Sequence, residues 1–291
     1  MNANLPDTDG YARPRFLILG AQKAGTVALF RYLASHPKIV PAHRKEIAFF
    51  DQDTLFARGY DWYHNQFPAK QILGDRVTFE ATPAYLYYQA VPSRLFAYDP
   101  DIKLIVLLRN PIARAISAWN MYRDLRLNQP DYLLSLLPEC DEGTRAMFKT
   151  MLASDSFPDA DEAMQNEIGE ILSGVAVRDP GYVQRGLYYE QLQRYLKYFD
   201  RGQIAIVESV RLKTELTTVL NELVRFLDLP AHDWHSTDLS LHHVGQYDTP
   251  VSPGTHELLR DFYRPHNERL YELLGRDLGW ERGQPEAHRS F

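Results

Sequence analysis

The amino-acid sequence predicts an α/β fold with a central parallel sheet flanked by helices, and three observations carry that prediction. Apolar runs of strand length recur along the 291 residues, at Phe16 to Leu19, Val77 to Phe79, Ile102 to Leu108 and Ile204 to Val207. Stretches of helical period separate them, the alternation that lays successive strands side by side through helical crossovers. The run Ile102 to Leu108 is apolar apart from Lys103 near its start, as suits a strand buried on both faces. A composition of 45% hydrophobic and 24% charged residues provides for a sizeable core.

The first run leads into Gly20-Ala21-Gln22-Lys23-Ala24-Gly25-Thr26, a glycine turn that opens a helix. Successive backbone N–H groups in such a turn, helped by the helix dipole, make an anion site. This gives the turn a P-loop-like outline, and the chain length allows one large or two small domains. In a nucleoside triphosphate loop the lysine follows the second glycine and reaches the terminal phosphates. Here Thr26 follows Gly25, and Lys23 lies inside the loop, suited to a ligand whose reactive group is on the phosphate nearest the turn. Glycine spacing alone leaves an ordinary strand-to-helix turn equally open. After Leu108 comes Arg109-Asn110-Pro111, without the acidic residue that holds magnesium in an ATPase. Pro111 suits the first turn of a helix over roughly Ile112 to Leu125. Ser117 falls about two turns into it, which lets Arg109 and Ser117 face one phosphate lying across the strand ends. Taken singly, Arg109 reads equally as a surface ion-pair partner and Ser117 as a plain helix surface residue.

Between Asp131 and Asp179 the composition shifts to 11 acidic and 3 basic residues, net −8, which reads as an acidic, helical insertion. Helical spacing returns at Tyr188 to Phe199, Leu212 to Leu227 and His256 to Leu274. The expected organisation is a flexible segment over 1–14, one domain over 15–280 with the insertion at 131–179, and a tail over 281–291. A net charge of −6 argues against a general nucleic-acid binder. The single cysteine, Cys140, excludes an intrachain disulfide and a cysteine-rich metal site and fits a reducing compartment, so a cytoplasmic location is expected. The opening "MNANLPDTDGYARP" lacks a secretory pattern, and no apolar run approaches the roughly 20 residues of a membrane helix, so a soluble chain is expected. No metal site is expected, because His242 and His243 are adjacent rather than one helical turn apart.

Five motifs in order then resemble one family. They are "LGAQKAGT", "KEIAFFD" at Lys45 to Asp51, "EATPAY" at Glu80 to Tyr85, "LLRNPIARAISAW" at Leu107 to Trp119 and "RGLYYEQLQRYLKYF" at Arg185 to Phe199. Their order and spacing from about residue 15 to 280 are similar to the heparan sulfate type of sulfotransferase, which uses 3'-phosphoadenosine 5'-phosphosulfate (PAPS). The resemblance implies a fold related to nucleotide kinases, with Lys23, Ala24, Gly25 and Thr26 around the 5'-phosphosulfate and Arg109 and Ser117 on the 3'-phosphate. It implies Glu46 as general base beside Lys23, and Tyr188 and Gly245 in the nucleotide pocket, although Tyr188 reads equally as a core aromatic. Adenosine 3',5'-bisphosphate would be the product, and no metal is required.

Three positions depart from the family pattern. Ala48 stands where a histidine is usual and Ala81 where a lysine is usual, and the late cofactor loop corresponds to Val244-Gly245-Gln246 without its flanking cysteines. His242 and His243 are candidates to compensate. An acidic chain is a poor partner for a heavily sulfated polymer. The expected acceptor is therefore a hydroxyl of a neutral glycan, a lipid or acyl chain, a small-molecule alcohol or a tyrosine-bearing peptide. Trp62, Tyr63, Tyr85, Tyr87 and Tyr88 are candidates to line a cleft, although core or surface positions explain most of them. A P-loop kinase or NTPase and a non-catalytic nucleotide-binding module are the alternatives.

Overall fold

In the computed structural model, which describes residues 10–174, 180–234 and 251–282, the predicted strands form one all-parallel sheet. Its members are β1 (Pro14–Gly20), β2 (Ile39–Pro41), β3 (Val77–Ala81), β4 (Lys103–Leu108) and β5 (Ile204–Glu208), in the order β2-β3-β1-β4-β5. The helices are α1 (Thr26–Ala34), α2 (Asp53–Phe56), α3 (Gly59–His64), α4 (Lys70–Leu73), α5 (Val91–Tyr98), α6 (Pro111–Asn128) and α7 (Pro130–Leu136). They continue as α8 (Glu142–Ala153), α9 (Ala160–Leu172), α10 (Tyr188–Leu196), α11 (Arg211–Thr214), α12 (Leu216–Phe226) and α13 (Pro253–Leu274). None of the described helices is long and apolar enough to cross a membrane. The described residues fall into two compact units, 10–109 with 192–234, and 110–174 with 180–191 and 251–282.

The first unit contains the sheet. β1 lies between β3 and β4, with Leu17 in register with both Glu80 and Leu104, and every β1 residue except Arg15 is buried. β4 is buried from Leu104 to Leu108, which explains why that run carries no alternating polar residue. Phe16 of β1 stacks on Phe79 of β3 with ring centroids 4.6 Å apart, and Phe30 of α1 packs against the same ring at 4.9 Å. β2 gave no sequence signal because it is three residues long and ends on a proline. The helix expected over Leu212 to Leu227 is broken at Glu215, whose φ of −140° leaves the helical region. Arg211 spans the break, bonding Glu215 at 3.1 Å and Glu222 at 2.8 Å. Gly10 to Arg13, within the segment expected to be flexible, are tied down by an antiparallel bridge from Tyr11 to Ala69 and by the Ala12 N–H on the Pro68 carbonyl at 3.0 Å.

The second unit is helical. Asn110 caps α6 through its Oδ1, which accepts the N–H groups of Ile112 at 3.0 Å and Ala113 at 3.3 Å, with Pro111 at the first helical position as its sequence signal predicted. The acidic segment is helical where it is described. Asp141 and Asp159 begin α8 and α9 by accepting the N–H groups of Thr144 and Glu162, each at 2.8 Å. Leu133, Phe148, Met164 and Ile168 bury their side chains with Trp119 and Tyr122 of α6 and Leu259 and Tyr263 of α13. Glu167 is buried and accepts the N–H groups of Val183 at 2.9 Å and Gln184 at 2.8 Å; burial raises its pKa while those donors pull it down.

Two alanine substitutions separate a glycine the fold requires from one it does not. A Cβ on Gly20, whose φ is +147°, would lie 2.8 Å from the Pro83 carbonyl oxygen and 3.0 Å from Leu86 Cβ. Gly20→Ala is expected to lower unfolding free energy by about 1–3 kcal/mol in urea titrations. Gly169 is an exposed residue of α9, and nothing lies within 4 Å of where a Cβ would stand. Gly169→Ala is expected to raise stability by about 0.5–1 kcal/mol.

Candidate active site

The C-terminal ends of β1, β3 and β4 bring three segments of the first unit to one edge of the sheet, the edge at which open α/β sheets bind ligands. The glycine turn leaves β1 with the Ala21 N–H on the Leu107 carbonyl of β4 at 2.8 Å. Gly25 precedes α1 with a φ of +97°, a left-handed conformation that favours glycine, and no side chain caps the helix. Lys23 is also left-handed, at φ +66°. Arg109, the residue after β4, is 7% exposed, and its Nη1 donates to the Lys23 carbonyl at 3.0 Å. A buried guanidinium therefore holds the turn that carries the loop lysine.

The second segment carries Glu46. Its N–H bonds the carbonyl of Ala81, the last residue of β3, at 2.9 Å. Glu46 at φ +61° and Ala48 at φ +59° are both left-handed, an uncommon pair for residues with side chains. The Glu46 carboxylate is 57% exposed and forms an ion pair with Lys45. Arg44 Nη2 donates to the Ile47 carbonyl at 3.3 Å.

The third segment is built on Glu80, a wholly buried carboxylate near the end of β3. Its Oε1 accepts from the hydroxyls of Tyr63 at 2.7 Å and Tyr85 at 2.9 Å, and its Oε2 accepts from Thr82 Oγ1 at 2.8 Å. Burial pushes its pKa up from 4.5 to about 7, opposed by the three hydroxyl donors and by the charge of Arg44. Two of these hydroxyls also accept from the Glu46 segment: Tyr85 from the N–H groups of Phe49 at 3.1 Å and Phe50 at 3.4 Å, and Thr82 from that of Ala48 at 3.4 Å.

Of the residues singled out in the sequence, Lys23, Ala24, Gly25, Thr26, Glu46 and Arg109 belong to this edge of the first unit. Ser117 and Tyr188 belong to the second unit. Ser117 is 3% exposed, and its Oγ has no hydrogen-bond partner among the described residues. Tyr188 is buried, its ring 5.9 Å from that of Trp280. Gly245, His242 and His243 lie outside the described residues. Tyr63 and Tyr85 are core residues whose hydroxyls serve Glu80, whereas Trp62, Tyr87 and Tyr88 are half-buried. Glu80 received no role from the sequence. The signal was present as an acid placed directly after the apolar run Val77 to Phe79, where a lone charge has to find buried partners.

A parallel sheet of this order, with a glycine turn after its first strand and a buried arginine after its fourth, has the form of a P-loop-like fold. The chain belongs to the sulfotransferase family: a family model described as Sulfotransferase domain matches residues 13–246. It is 29% identical over 286 residues to the mouse heparan sulfate glucosamine 3-O-sulfotransferase 5, covering 92% of this chain and 74% of that one. A sulfotransferase from Alicyclobacillus acidocaldarius has the same fold, with a TM-score of 0.67 and 27% identity over 93% of this chain and 99% of that one. The mouse sulfotransferase SULT7A1 complexed with PAP shares the fold at a TM-score of 0.50 and 13% identity, covering 89% of this chain and 87% of that one. The chain is therefore an enzyme of a PAPS-dependent family that moves sulfuryl groups to glycan or other acceptors, and the kinase reading is not favoured.

The buried carboxylate gives stability a definite pH dependence. Below pH 4.5 Glu80 is protonated in both folded and unfolded chains; between 4.5 and about 7 the unfolded chain releases a proton that the folded one retains. Its contribution is therefore fully present below 4.5 and is lost as pH rises through 7. Relative to Glu80→Gln, the native protein is expected to lose on the order of 3 kcal/mol across that window, read from urea titrations at stepped pH. A difference that stays flat would mean that Glu80 titrates as an ordinary carboxyl.

Proposed function

We propose that the chain transfers the sulfuryl group of PAPS to a hydroxyl acceptor, with the glycine turn and Lys23 at the 5'-phosphosulfate and Glu46 as general base. The observation that carries this reading is the grip of buried Arg109 on the Lys23 carbonyl beside an uncapped helix N-terminus. It holds in place the turn whose backbone N–H groups, with Lys23, suit the negative charge that develops on a leaving 5'-phosphate. Taken unit by unit the residues suit a nucleotide: in the first, Gly25 keeps the turn clear of a side chain, and in the second the buried Ser117 Oγ, without a hydrogen-bond partner among the described residues, suits a phosphate oxygen. Arg109 is assigned to the 3'-phosphate, and the parts of Ser117, Tyr188 and Gly245 in nucleotide binding rest on the motif match.

In the reaction the acceptor oxygen attacks sulfur as the bond from sulfur to the 5'-phosphate oxygen breaks. Glu46 takes the hydroxyl proton, and adenosine 3',5'-bisphosphate leaves with the electron pair. Alignment and stabilisation of the leaving charge do most of the work, as in phosphoryl transfer. For the acceptor, a net charge of −6 argues against a densely sulfated polymer. The half-buried Trp62, stacked on Phe49 at 6.0 Å near the Glu46 turn, suits a sugar ring or apolar acceptor. Arg44 and Arg58, 5.8 and 5.1 Å from the Trp62 ring, suit an isolated anionic substituent on it. A single cysteine suits a reducing compartment and supports cytoplasmic residence.

Thermal shifts separate this reading from its alternatives. Adenosine 3',5'-bisphosphate at about a hundred times its Kd is expected to add about 2.7 kcal/mol of native stability. Adenosine 5'-monophosphate should add much less, and stabilisation by ATP with magnesium but not by the bisphosphate would sink the reading. Glu46→Gln is expected to leave bisphosphate affinity within a few-fold while lowering turnover about 10²- to 10⁴-fold. Turnover is read with labelled PAPS against a screen of unsulfated glucosamine oligosaccharides and simple alcohols.

A further inference from the structure

The turn that carries Glu46 is held in an unfavourable backbone conformation by groups that belong to another segment. Glu46 and Ala48 are both left-handed, a state that persists only where the surroundings over-determine it. On one side the Glu46 N–H is fixed on the Ala81 carbonyl at 2.9 Å. On the other, the N–H groups of Ala48, Phe49 and Phe50 all end on side-chain hydroxyls, Thr82 for the first and Tyr85 for the other two. A hydroxyl has one proton and can point it only one way. When Glu80 is ionised both protons go to it, at 2.8 Å from Thr82 and 2.9 Å from Tyr85, which leaves both hydroxyl oxygens turned toward the backbone as acceptors.

We infer that Glu80 is a positioning residue for Glu46: by taking the Thr82 and Tyr85 protons it orients both hydroxyls as acceptors, and so fixes the left-handed turn from which Glu46 reaches the acceptor. Tyr63 completes the arrangement at 2.7 Å, supplying the third donor that a buried carboxylate needs and leaving the other two hydroxyls committed to the turn. Glu80 is wholly buried, and among the described residues it is hydrogen-bonded to the segment through these hydroxyls, with the Arg44 charge acting on it besides, so it works through Glu46 and not on substrate. The inference rests on the reading of Glu46 as the base.

The test needs no acceptor for its first arm. Hydrogen exchange read by mass spectrometry on the folded full chain is expected to quicken at least about 10-fold at residues 46–50 in Glu80→Gln and Tyr85→Phe. Peptides covering β1 and β4 should stay protected. Thr82→Val should release Ala48, and Thr82→Ser, which keeps the hydroxyl, should restore its protection. In the second arm, with labelled PAPS and the best alcohol or oligosaccharide from the screen, Glu80→Gln is expected to lower kcat about 10- to 100-fold with the KM for PAPS nearly unchanged. In a Glu46→Gln background it should lower kcat little further, because the two act as one unit.

Unchanged protection at 46–50 in folded Glu80→Gln and Tyr85→Phe overturns the inference. So does a loss in kcat that adds in full to that of Glu46→Gln. If Glu80→Gln itself fails to fold, the Thr82 and Tyr85 variants decide by the same readouts. Failure of the underlying reading looks different: Glu46→Gln alone leaves turnover intact, and the hydroxyl anchors still protect the turn.

Discussion

The first unit depends on what happens to backbone groups where parallel strands end. A strand that stops in a buried position leaves N–H and carbonyl groups that must be paired within the protein. Here the chain leaving each strand supplies those partners. The Thr82 N–H returns to Ile18 at 3.1 Å, Leu86 to Leu19 at 2.9 Å, Ala21 to Leu107 at 2.8 Å and Ser209 to Leu108 at 2.7 Å. Glu46 closes on Ala81 in the same way. Each loop at this edge is thus an extension of the ladder rather than a free connection, and residues far apart in sequence are fixed on one rim. Gly20 is where this closure is tightest, with the chain at Pro83 and Leu86 passing where a side chain would stand.

Charge is handled in both units by hydrogen bonds from neutral groups. Glu80 is surrounded by three hydroxyls, and Glu167 by two backbone N–H groups. Arg109 commits a donor to a carbonyl, as does the wholly buried Arg114, which bonds the Tyr182 carbonyl. A buried charge held this way ties down the segment that supplies its partners, because moving the segment would strand the charge. The exposed pair of Lys45 and Glu46 is of another kind: solvent-screened and weak, it leaves the Glu46 carboxylate available for other work.

Much of this was legible in the sequence. The apolar runs located β1, β3, β4 and β5, and the Asn-Pro pair after Arg109 located the start of α6, because burial on two faces and helix capping leave local marks. β2 and the break at Glu215 left none, the first through shortness and the second because the residues either side keep a helical pattern. The acidic segment contains α7, α8 and α9, yet its composition concealed that two of its acids are helix caps and that one, Glu167, is buried.

By itself the sequence determined the class of fold, the place of the glycine turn after the first strand and the motifs that mark the family, since each depends on residues adjacent in the chain. Only the tertiary structure decided what Glu80 does. Its three hydroxyl partners lie at positions 63, 82 and 85, and the turn they serve spans 46 to 50. A carboxylate's role depends on which donors the fold brings within about 3 Å of it, and that is a property of the sheet edge as a whole, which no single stretch of chain contains.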